Sequence, residues 1–335
     1  MVKIKKSKEK ILDEKQEQKQ EEQKVTDHNV ALKDFLDRVE IQDAVIYKNL
    51  RLFAVNIIEK KSTYKLMTLT EALKDNILEV KETNVVSNLK FINKSKDTKI
   101  LIIEGEVVKG GRQNRVINVT MIIDEDSEVI VPTSCVEQGR WSGGKTFGAD
   151  VYITPTLYGN LSKSVSESMS SSHGSSMMYC SNQSSLWGAA DTFLCAAATH
   201  SDSNDFTKAY EVNEEKINDY WNKLKPMFKD CAGIAAVIGK KLIFSIADSK
   251  EFFMPQFEKL LRSYILEALT AGQTMKLSLE AVAEYLNCLL RVKSELFDSP
   301  NKIGKIIKFN SEKITGSTFM FNDRIVHLNV VMELP

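Results

Sequence analysis

The sequence predicts an α+β protein, with an antiparallel β-rich N-terminal region followed by a mixed α/β C-terminal region. Three observations carry that expectation. From residue 44 to residue 134, β-branched apolar runs succeed one another at roughly ten-residue spacing between polar turns, the pattern of antiparallel sheets. After residue 186, stripes of helical period alternate with strand-like runs. Between the two lies a serine-rich stretch that continues neither pattern.

Taken in order, residues 1–27 are dominated by Lys, Glu and Gln and have too little apolar surface to offset the entropy of ordering, so they read as a disordered charged tail. A short helix is expected in "NVALKDFLDRVEI", two strands in "AVIYKNLRLFAVNII" and a further strand in "YKLMTL". "TLTEALKDNILEVKE" reads as a short helix and a strand, and "NLKFINKS", "KILIIEGEVV", "RVINVTMIID" and "EVIVPTS" as successive strands. This β-rich region spans 28–158 and carries the candidate site. Residues 159–186, with twelve serines between 160 and 185, read as a flexible loop. Residues 187–335 form a mixed region packed on the first. There, "LWGAADTFLCAAATH" and "AYEVNEEKINDYWNKL" read as helices, and "IAAVIGKKLIFSIAD" as a hairpin turned at Gly239-Lys240. Phe253, Phe257, Leu260, Leu261, Tyr264, Ile265 and Ala268 make one helical stripe. Asp248 and Glu251 give a start signal for that helix, and Pro255 allows a later start. "LSLEAVAEYLNCLLRVKSELF" reads as an amphipathic helix capped by Ser278, followed by strands in "KIIKFN", "ITGSTFMF" and "DRIVHLNVVME".

Composition excludes several classes. Among 335 residues, 45 Lys and Arg balance 45 Asp and Glu, so bulk charge gives no support for nucleic-acid binding. No run of 18 apolar residues suggests a membrane span, and the N-terminus lacks the apolar core of a secretory signal. Five widely spaced cysteines without a CxxC pair point to reduced thiols and a cytoplasmic location. No metal-ligand spacing, GxGxxG or phosphate-loop motif occurs, and the residues identify no cofactor.

One stretch is out of character with its surroundings. "EGEVVKGGRQNRVIN" places Glu104, Glu106, Lys109, Arg112, Gln113, Asn114 and Arg115 between two apolar strands. A turn at Gly110-Gly111 would set Lys109 against Arg112 and Glu106 against Arg115, with Glu104 on the same face. Paired carboxylates beside a guanidinium suit acid-base chemistry, because neighbours of that kind push pKa values apart. A second polar run, "PTSCVEQGRWSGGKTFG", offers Glu137, a guanidinium fork in Arg140 and a flat ring in Trp141 among glycines. Glu104, Glu106 and Glu137 are therefore candidate catalytic groups. Lys109, Arg112, Gln113, Asn114, Arg115, Arg140 and Trp141 are candidate ligand contacts. A hairpin at 124–127 would bring the two runs to one edge of a sheet, lining one concave pocket. A structural cross-strand ion pair and a buried, inert Cys135 are the competing readings of the same residues. His327, beside an apolar strand, reads as a core histidine.

"EGEVVKGGRQNRVINV" followed by "VIVPTSCVEQGRW" closely resembles the signature of the ARG and rhodanese-phosphatase-superfamily-associated protein domain family. "SSLWGAADTF", "KLLRSYILEAL" and "DRIVHLNVV" fit more loosely, and the likeness extends over residues 30–335. The matching positions are Gly105, Glu106, Gln113, Asn114, Arg115, Ser134, Cys135, Glu137, Gly139, Arg140 and Trp141. The tail and the serine-rich stretch depart from it. The resemblance implies an association with ADP-ribosylglycohydrolases and NAD-derived metabolites. The expected function is accordingly binding or processing of an ADP-ribosyl-like or other phosphorylated metabolite, a small-molecule partner. The alternative is a non-catalytic sensing or protein-interaction module.

Overall fold

The computed structural model describes residues 28–60, 64–83, 85–144 and 146–335, so the expected tail over 1–27 lies outside the described residues. The fold is α+β and is organised around three sheets. The largest has eight antiparallel strands. Its first two are β1 (Val39–Tyr47) and β2 (Leu50–Ile57). The others are β12 (Gly233–Ile238), β13 (Lys241–Ala247), β14 (Ser294–Asp298), β15 (Lys305–Asn310), β16 (Ile314–Phe321) and β17 (Arg324–Glu333). They lie in the order β1-β2-β12-β13-β17-β16-β15-β14. β12 is apolar at every position after Gly233, which fits a strand covered on both faces. One face packs on the helix at residues 28–36, α1, and on α8 (Leu279–Cys288). The other packs on α3 (Pro155–Ser171) and α7 (Lys250–Thr270).

The second sheet runs β11 (Phe147–Tyr152), β7 (Glu106–Gly110), β8 (Arg115–Ile117), β10 (Ser127–Cys135), β5 (Asn88–Asn93) and β4 (Leu78–Glu82). The third joins β3 (Leu66–Thr68), β6 (Lys99–Ile102) and β9 (Met121–Ile123), with β3 and β6 parallel. These two sheets and α2 (Leu69–Lys74) share an apolar cluster of their own. Thr68 and Glu71 close a capping box at the start of α2. No helix among the described residues is long and apolar enough to cross a membrane.

Several expectations hold at the element level. The hairpin turns at Gly239, where φ is +56°, and Ser278 caps α8 by accepting from the Ala281 amide at 3.2 Å. Others are corrected. The serine-rich stretch is not a flexible loop, for α3 runs through its first half. Leu157, Leu161, Val165 and Met169 recur every four residues and are buried, a stripe too sparse to stand out among the serines. The expected helix over 209–224 is two, α5 (Lys208–Val212) and α6 (Glu214–Leu224), separated at Asn213. α7 starts at Lys250, capped by Ser249 in place of Asp248, and runs through Pro255, and the "SELF" of the last predicted helix is strand β14. A boundary at residue 158 does not divide the sheets, because β2 pairs with β12 across it.

Candidate functional site

The site begins at a turn. Gly105 has φ +96°, and a Cβ there would lie 2.5 Å from the Tyr152 ring, so the chain can reverse closely against Tyr152 only with glycine. That turn ends β6 and starts β7, which belong to different sheets, and it sends Glu104 and Glu106 apart. Both oxygens of Glu104 accept from Lys308 Nζ on β15 at 2.7 Å, and one accepts from Ser317 Oγ at 2.7 Å. Lys308 also donates to Ser162 Oγ of α3 at 3.2 Å. Burial lowers the Lys308 pKa, against the opposing pull of Glu104. Glu106 binds the Lys259 ammonium of α7 and accepts from the Ile103 amide at 2.7 Å. Lys259 donates a further bond, 2.9 Å long, to Thr70 Oγ1. The two carboxylates therefore do not flank Arg115, as a continuous strand would require.

The hairpin itself is real but offset. Val108, not Glu106, faces Arg115, and Lys109 does not face Arg112. Both Gly110 and Gly111 have positive φ, but the turn extends to Asn114. The cause is the Asn114 side chain, whose Oδ1 accepts from the Gly110 amide at 2.9 Å and closes the loop. The exposed Arg112 uses its backbone amide, which donates to Glu82 Oε1 at 2.6 Å.

β8 and the end of β10 are neighbours, with Cys135 opposite Arg115, and the two polar runs do meet. The hairpin expected at 124–127 is not what joins them, since β9 pairs with β6 in another sheet. Glu137 is buried and accepts from the Asn114 amide at 3.0 Å, Ser203 Oγ at 2.9 Å and Arg140 Nε at 2.8 Å. Burial raises the Glu137 pKa, but Arg140, the Asn114 amide and Ser203 outweigh it and hold the group below the usual carboxylate range. Arg140 also donates to Gly111 O at 2.8 Å and Asn114 Oδ1 at 3.2 Å. Gln113 Nε2 donates to Glu137 O at 3.0 Å, and its Oε1 accepts from Cys135 Sγ at 2.9 Å. Burial pushes the Cys135 thiol up, with Arg115 opposing. Arg115 is 1% exposed and reaches Glu82 at 3.3 Å, while its Nε and one terminal nitrogen have no hydrogen-bond partner. Arg115 and Arg140 share no hydrogen-bond partner. Trp141 is 58% exposed. His327 is buried, which pushes its pKa down to about 3.

The polar groups of the two runs thus spend most of their bonds on each other. Open space lies on the other side of β7, in a cleft of about 510 Å³. Lys109 and Asp150 line it from the sheet, Thr70 from α2, Glu211 and Glu214 from α5 and α6, and Glu258, Lys259 and Arg262 from α7. Arg262 is held over the Trp221 ring at 5.2 Å, with Nε on Glu258 at 2.8 Å and one terminal nitrogen on Asn218 at 3.0 Å. Among the described residues Lys109, Asp150 and Glu214 form no ion pair. The cleft therefore offers cations and carboxylates a few side chains apart, above the buried Glu106–Lys259 pair. No cluster of His, Cys, Asp and Glu among the described residues is placed to hold a metal ion.

Residues 38–331 match the ARG and Rhodanese-Phosphatase-superfamily-associated Protein domain. The chain belongs to that family. No curated protein and no solved structure matches it. Within this member of the family, the residues that complete the site lie far from the "EGE" and "EQGRW" runs. Thr70, Asp205, Lys259, Arg262 and Lys308 escaped the sequence reading. Asp205 accepts from Asn114 Nδ2 at 3.1 Å and fixes that amide, while Lys259 and Lys308 answer the two divergent glutamates. A lysine between apolar neighbours in strand β15 is the one signal that could have flagged Lys308, since lone buried lysines need a partner, whereas Lys259, beside Glu258 and Arg262 on α7, carries no such mark.

Proposed function

We propose that the chain binds a small phosphorylated metabolite of the ribosyl phosphate type, with ADP-ribose as one example, in the cleft between β7, α2, α6 and α7. The observation that carries this is the cleft's mixed lining over the Glu106–Lys259 pair. Lys109 and Arg262 are suited to phosphate oxygens, and Asp150, Glu211, Glu214 and Glu258 can accept from ribose hydroxyls. The family's association with ADP-ribosylglycohydrolases agrees with a ligand of this class. The clasp of Glu137, Arg140, Asn114 and Gln113 then serves to fix the hairpin that carries Lys109, and Trp141 is a surface ring beside it. The test is thermal shift with ADP-ribose, ribose 5-phosphate and NAD, with turnover assayed separately. Lys109→Ala and Arg262→Ala should each weaken binding about ten- to hundredfold, the scale of a lost hydrogen bond to a charged group. If none of the three compounds shifts the parent protein, this reading is wrong.

A reading as a binding module without turnover is favoured by one observation. Glu104, Glu106 and Glu137 are each already matched by a lysine or arginine. A shift with no product formed would support it.

A further inference from the structure

We propose that Lys259 is an imine-forming lysine, and that the cleft takes sugar phosphates whose reactive end is an open-chain aldehyde. This rests on the binding reading above and names the chemistry at the floor of the same cleft. A lysine that only staples α7 to β7 would need neither an opening to the cleft nor a hydroxyl beside it. Lys259 has both. It lines the cleft, and so does Thr70, whose hydroxyl accepts from its ammonium at 2.9 Å. Its side chain is 4% exposed, so the amine is largely desolvated. Glu106, 1% exposed, is in direct hydrogen bond with it, a proton acceptor of fixed position. A lysine with a fixed proton acceptor beside it can be activated as a nucleophile toward a carbonyl.

The steps balance without any external redox partner. Glu106 takes a proton from the Lys259 ammonium, leaving a neutral amine. The Nζ lone pair adds to the aldehyde carbon, and the carbonyl oxygen takes the proton held by Glu106. The carbinolamine nitrogen returns its extra proton to Glu106, which delivers it to the departing hydroxyl. Water leaves, and a protonated imine remains beside the Glu106 carboxylate. One carbon–nitrogen double bond has replaced one carbon–oxygen double bond, and the total charge is unchanged. Lys109 and Arg262, on the cleft wall, are placed to take the phosphate, and Asp150 or Glu214 the hydroxyls.

The experiment is reductive trapping on the full chain. Ribose 5-phosphate is the probe, sodium cyanoborohydride delivers hydride to the imine carbon, and peptide mass spectrometry locates the secondary amine. Lys293, 86% exposed, reports random glycation in the same digest. The expected result is labelling of Lys259 at least tenfold faster than Lys293, lost in Lys259→Arg and slowed tenfold or more in Glu106→Gln. Lys259→Arg keeps the positive charge against Glu106, and its circular dichroism and melting temperature establish that it folds. If the parent shows a thermal shift with ribose 5-phosphate but Lys259 is labelled no faster than Lys293, the imine proposal is overturned and the binding reading stands. If ribose 5-phosphate gives neither shift nor selective label, the imine proposal is overturned, and the binding reading falls with it when ADP-ribose and NAD give no shift either.

Discussion

At φ +96°, Gly105 occupies backbone space where an L side chain is strained, and the Tyr152 ring fills the volume a Cβ would take. Gly105→Ala should therefore cost about 2–4 kcal/mol, from dihedral strain and overpacking together. Denaturant unfolding measures it, and a loss below about 1 kcal/mol would mean that the turn can relax around a methyl group. Glu137 is the second residue with a decisive environment. Its folded pKa lies below its unfolded one, so its contribution to stability is complete above the usual carboxylate pKa of about 4.3 and is lost as the pH falls through the depressed folded value. Glu137→Gln should lower stability by about 1–2 kcal/mol at pH 7, and the gap between variant and parent should close in acid. An unchanged gap at pH 3 would show that the effect is not ionic. Both residues sit in the motif that was visible in the sequence. Their partners, a tyrosine ring 47 positions on and a serine 66 positions on, were not, because nothing local dictates such contacts.

At the scale of elements, α3 is the most informative. Its polar face carries most of the serines, Ser162 and Ser166 being buried, and its buried face carries Leu157, Leu161, Val165 and Met169 against the core. Serine is a mediocre helix former, and the helix persists because packing outweighs intrinsic preference. Lys163 is exposed in its interior, so Lys163→Pro removes no core contact. The substitution should nevertheless cost about 3 kcal/mol or more through the lost hydrogen bond and the ring clash, while Lys163→Ala should be nearly neutral. A flexible loop would accept both, so thermal melts of the pair separate the two descriptions. The same contest between local preference and packing explains the misplaced hairpin register. Two glycines favour a tight turn, but the Asn114 side chain closes a longer one and shifts every partner by two residues.

Over the whole molecule, buried ion pairs tie the N-terminal strands to the C-terminal half. Glu104 meets Lys308 on β15, and Glu106 meets Lys259 on α7, all four buried. Breaking one partner leaves a buried charge, so Lys308→Met should cost about 3–5 kcal/mol. The double variant Glu104→Gln with Lys308→Met should recover most of that loss, because no uncompensated charge remains. A double variant as unstable as the single one would assign the loss to packing around residue 308 and not to charge.

The sequence by itself determined the fold class, most strand and helix positions and the family, because alternating and helical periodicity and a contiguous motif are local properties of the chain. It also picked out the polar runs that meet beside β8 and β10. Tertiary structure decided the rest. That β1 and β2 join a sheet completed by the last strands depends on pairings nearly 200 residues apart in sequence. Whether a glutamate faces solvent, substrate or a lysine depends on which helix packs over its strand. For Glu104 and Glu106 that was settled by residues 204 and 153 positions away, and no pattern near residue 105 encodes them.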